Sequence, residues 1–99
     1  MKINYLNFKP TAKNHRLLLD EFEELKTHFS ADTDFEFGIE KINDIYQAHA
    51  SIKSPFLNIN SDMTGRTLDI IGPSLSMELK VKSALLLNDA NIAKTALGA

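Results

Sequence analysis

Apolar residues along this chain recur with a period of two in some segments and of three to four in others, so strands and helices separate early. Ile3 and Tyr5 alternate with polar neighbours before the pattern shifts at Leu6 to Phe8, which predicts a strand over residues 2–8. Pro10 ends it, because proline has no N–H to give to a ladder. Thr11 then offers a hydroxyl to the first free amides of a helix. Leu18, Phe22, Leu25 and Phe29 follow at spacings of four, three and four, one face of a helix over residues 12–29. Burying those four side chains stabilises by roughly 6–12 kcal/mol as an upper estimate.

After a polar loop, Phe35, Phe37 and Ile39 alternate with Glu36, Gly38 and Glu40, the mark of a half-buried strand. Asn43 and Asp44 supply a tight turn, and Tyr46, Ala48, Ala50 and Ile52 form the antiparallel strand after it. In residues 53–65, Pro55 breaks the strand, Leu57 to Asn60 resumes it, and Ser61 to Gly65 is expected to turn. Arg66 to Ile71 reads as the next strand, closed by Gly72 and Pro73. Ser74 or Ser76 is the expected cap of a second helix with Glu78 in its first turn, where the dipole favours an anion. Met77, Val81, Ala84, Leu85 and Ile92 form its expected apolar stripe.

This order predicts an α+β domain, β-α-β-β-β-α, with one four-stranded, mainly antiparallel sheet and both helices on one face. The other face is left wet, consistent with Glu36, Glu40, Gln47 and His49 on it. Ninety-nine residues suffice for one domain, residues 1–99. The absence of cysteine excludes disulfides and thiolate metal sites and fits a reducing, cytoplasmic setting. Asn4 and Asn7 interrupt any apolar signal segment, and no apolar run approaches the roughly 20 residues of a membrane span.

Charge is distributed unevenly along the chain. Residues 1–19 carry Lys2, Lys9, Lys13 and Arg16 with no acid, residues 20–44 sum to −7, and the remainder to +1. Such a bipolar molecule can orient a charged partner. His15, His28 and His49 have no metal-ligand spacing. The acids around Asp20 to Glu24 read as the solvated face of the helix. No glycine-rich phosphate loop and no nucleophile elbow is present, so no cofactor and no catalytic residue is expected. The remaining chemistry is phosphate binding by Lys13 and Arg16 on the first helix and Lys80, Lys82 and Lys94 on the second. An exposed strand edge leaves the chain a monomer or a weak homodimer.

In sequence the elements resemble the ribosome hibernation-promoting factor family, also described as protein Y or ribosome-associated inhibitor. Thr11 at the helix start, Leu25-x-x-His28-Phe29, Tyr46-x-Ala48-x-Ala50-x-Ile52 and Ser76-Met77 carry the resemblance, which spans about residues 2–95. It implies a core like that of double-stranded RNA-binding domains. It also implies a non-enzymatic, stress-response role in which the protein occupies the messenger and transfer RNA channel of the small ribosomal subunit. Contacts to ribosomal RNA would then fall to Lys13, Arg16, Lys26, Lys80, Lys82 and Lys94. Glu21 and Glu24 stand where members carry lysine, and the end of the second helix keeps only Lys94 of a denser basic run. The acidic segment from Asp20 to Asp44 suits, alternatively, a basic protein partner.

Overall fold

Six elements follow one another in the computed structural model: β1 (Ile3–Leu6), α1 (Ala12–Lys26), β2 (Asp34–Ile42), β3 (Ile45–Lys53), β4 (Asn58–Gly65) and α2 (Leu68–Gly98). The structure describes residues 2–55 and 57–98, with side chains as far as residue 86. The strands lie in the order β1-β2-β3-β4. β1 is parallel to β2, whereas β2–β3 and β3–β4 are antiparallel, so the sheet is mainly antiparallel as expected.

Each boundary has a local cause. Asn7 takes a φ of 66°, a left-handed conformation that asparagine tolerates, and this ends β1 after Leu6, before the Phe8 limit expected. Thr11 caps α1, its hydroxyl accepting from the Asn14 amide at 3.1 Å. α1 stops at Lys26, a turn earlier than the periodicity predicts, and Thr27 closes it by donating to the Glu24 carbonyl at 2.6 Å. Phe29 lies beyond the helix but still packs against the core. Asn43, with a φ of 56°, makes the two-residue link that pairs Ile42 with Ile45.

Between residues 54 and 71 the fold departs from the sequence expectation. The break at Pro55 is only the turn Ser54–Leu57, closed by the Ser54 amide on the Leu57 carbonyl at 2.8 Å. Ser61 to Gly65 is not a turn but part of β4, and Arg66 to Ile71 is not a strand, because α2 begins at Leu68. Ser74 and Ser76 therefore lie inside the helix, as does Pro73, which leaves the Asp69 carbonyl without its usual donor. The expected stripe is the wrong face as well. Leu68, Ile71, Leu75 and Leu79 are buried, whereas Met77, Val81, Ala84 and Leu85 are exposed. Ile92 lies outside the described side chains.

Both helices cover the same sheet face. Phe37, Ala50 and Ser61 are in register across β2, β3 and β4, as are Ile39, Ala48 and Met63. Leu18, Phe22 and Leu25 from α1 meet this surface, and Phe22 lies flat on Phe37 with centroids 4.1 Å apart. Such a ring pair adds about 0.5–1.5 kcal/mol beyond the area it buries. The opposite face carries exposed Glu36, Gln47 and His49. His49 spreads over Gly38, where an added Cβ would lie 2.6 Å from the ring.

Candidate nucleic-acid interface

The two helices run side by side and parallel. Leu17, Leu18 and Glu21 of α1 share a hollow with Leu68, Asp69 and Gly72 at the start of α2. One turn further along, Lys80 donates to Glu24 Oε2 at 3.0 Å. Gly72 sets the closeness of this seam, since a Cβ there would lie 3.0 Å from Leu18 Cδ2. Parallel packing brings both amino ends, each with its partial positive charge, to one end of the molecule.

The predicted basic residues are not equivalent. Lys13 is exposed and has no ion-pair partner among the described residues. Arg16 lies 3.5 Å from Asp20 one turn on, with both side chains mostly exposed. Lys26 reaches over the Phe35 ring at 5.9 Å. Lys80 is held by Glu24. Lys82 is 3.3 Å from Glu78 and donates to the Asn60 carbonyl at 3.0 Å. The Lys94 side chain lies outside the described residues. Lys13 and Arg16 thus share one end, Lys80 lies over the helix seam, and Lys82 leans toward β4.

Exposed Lys9 and Arg66 escaped the sequence reading of the helices. Lys9 precedes α1 and Arg66 precedes α2, so parallel packing adds both to the end that holds Lys13 and Arg16. The charge run of residues 1–19 is the sequence signal for Lys9; Arg66 had none while residues 66–71 read as a strand.

Glu24 is the electrostatic centre of the seam. His28 donates to its Oε1 at 3.0 Å and Lys80 to its Oε2. These two bonds, His28 first, hold its carboxyl below the usual glutamate range. His15 is tied instead to the Tyr5 hydroxyl at 2.9 Å, and burial raises the Tyr5 phenol above its ordinary value. Among the described residues no group of histidines and carboxylates is arranged to hold a metal ion, and no helix is long and apolar enough to cross a membrane.

This topology, a parallel β1–β2 pair bridged by α1 and a three-stranded meander leading into α2, matches solved structures. The chain has the Protein Y fold. It superposes on the N-terminal domain of Thermus thermophilus Protein Y with a TM-score of 0.66, covering 83% of this chain and 94% of that domain at 12% identity. A ribosomal subunit interface protein from Coxiella burnetii gives a TM-score of 0.65, covering 83% of this chain and 92% of that one at 11% identity. The sequence itself matches no protein-family model and, by sequence comparison, none of the curated proteins. Residues 53–65, expected to hold a resumed strand and then a turn, form a short link and the strand β4.

Proposed function

We propose that this chain is a ribosome-associated, non-enzymatic cytoplasmic factor that meets small-subunit ribosomal RNA with its helical face. The observation that carries the reading is the fold shared, over 83% of the chain, with a ribosomal subunit interface protein. Lys9, Lys13, Arg16 and Arg66 at the amino ends of the two helices are the first phosphate contacts, with Lys26, Lys80, Lys82 and Lys94 along the helices. Lys80 and Lys82 exchange carboxylate partners for phosphates, so they contribute less than Lys13.

Co-sedimentation with purified ribosomal subunits tests this. Association is expected at low salt, fading as salt rises, and weaker in Lys13→Glu with Arg16→Glu than in Lys80→Glu with Lys82→Glu. No association with either subunit at low salt would sink the reading.

A second reading has its own observation. Beyond Glu24, the exposed acids Asp32, Asp34 and Glu36 gather where α1 ends and β2 begins, away from the basic end. A basic protein partner suits that pole. Substituting Asp32 and Asp34 by lysine would abolish such binding while strengthening RNA association, so one pair of variants separates the two.

A further inference from the structure

β4 is the last strand of the sheet, and no strand lies on its outer side among the described residues. Half of its main-chain groups therefore point away from β3. α2 runs back alongside this edge, antiparallel to β4. Met63 shares a shallow apolar hollow of about 550 Å³ with Pro73, Ser74, Met77 and Glu78. Ile59 shares another, of about 310 Å³, with Lys82, Leu85 and Leu86. Four residues of strand, about 13 Å, separate Ile59 from Met63. Between the hollows sits the Glu78–Lys82 pair, at 3.3 Å, beside Ser61. Met77, Val81 and Leu85 are 64%, 50% and 58% exposed, far more apolar surface than a solvent-facing helix normally shows.

We propose that this edge is the docking surface for a second copy of the chain. The pattern complements itself under a two-fold axis through Ser61 of β4 and the Lys80–Val81 region of α2. The axis sets β4 antiparallel to β4 of the second copy, satisfying the outward main-chain groups of both. It also sets Glu78 of each copy against Lys82 of the other. Met77 of each copy then faces the hollow beside Leu85 of the other, and the two Val81 side chains meet on the axis. An isologous contact needs a surface that carries both halves of every match, and this one does. Lys82 gives up its hold on the Asn60 carbonyl as the new strand arrives.

Sedimentation of the purified chain without ribosomes, over micromolar to millimolar concentration, tests this independently of the proposed RNA contact. The mass is expected to rise from 11.1 kDa toward twice that value, with the amide resonances of β4 shifting in step. Glu78→Lys and Lys82→Glu should each weaken association about tenfold, and the combined swap should restore most of it. Val81→Asp, at an exposed position that leaves the fold intact, should abolish it. A chain that stays monomeric at millimolar concentration overturns the proposal. So does a dimer indifferent to both single swaps, and so does a monomer whose β4 resonances shift only when an unrelated extended peptide is added.

Discussion

Lys80 and Glu24 meet at 3.0 Å across the seam between α2 and α1, fifty-six residues apart in sequence. The carboxylate neutralises the nearest cation of the facing helix. Glu24→Gln should therefore raise ribosomal association and steepen its salt dependence by about one unit in the log–log slope, because Lys80 is released to phosphate. Sedimentation at a series of salt concentrations reads both quantities. Unchanged binding would show that Lys80 is not a contact.

The same carboxylate sets an acid dependence. Its folded pKa is lowered by His28 and Lys80, so its contribution to stability is complete above the usual glutamate range. It is lost as pH falls through the lowered value. Urea denaturation from neutral pH into acid should show a shallower decline in Glu24→Gln than in the parent chain.

Tyr5 behaves oppositely. Burial raises its phenol, so the folded state holds that proton more tightly than the unfolded chain does. Stability is complete below the ordinary phenol value of about 10 and declines as pH rises beyond it. Tyr5→Phe should flatten the alkaline limb while losing about 0.5–1.5 kcal/mol at neutral pH with the bond to His15.

At the helix seam, Gly72→Val should destabilise by about 1–3 kcal/mol by driving a branched side chain into Leu18. Gly72→Ala should be close to neutral, because a helix-propensity gain of about 1 kcal/mol offsets the crowding. Thermal melts of the two variants separate packing from propensity.

In the hairpin between β2 and β3, Asn43→Ala should cost about 1 kcal/mol, since alanine resists the φ of 56°. Asn43→Gly should stay within about 0.5 kcal/mol of the parent. Denaturant midpoints with unchanged slopes would check both.

Local periodicity was legible wherever one period dominated. Leu18, Phe22 and Leu25 marked the buried face of α1 by their helical spacing of four and three, and Phe37 and Ile39 that of β2 by alternating with Glu36, Gly38 and Glu40. β4 was hidden by Ser61, a polar residue at a core position, 2% exposed, with Lys82 reaching its hydroxyl. Gly72 and Pro73 resembled punctuation, yet one permits close helix contact and the other lies on the exposed side of a helix. α2 has apolar residues on opposite faces, so its pattern cannot say which side is inward. The pairings of Lys80 with Glu24 and of Lys82 with Asn60 join segments that no local rule connects.

The parallel placement of β1 also fixes the order in which the molecule comes apart. β2, β3 and β4 are joined by short turns, so their loops close at small entropic cost and form one foldon early. β1 has only four residues in its ladder and reaches it across the whole of α1. It docks last and detaches first. Amide hydrogen exchange should find Ile3 to Leu6 opening sub-globally while Ala48 and Ala50 exchange only when the entire chain unfolds.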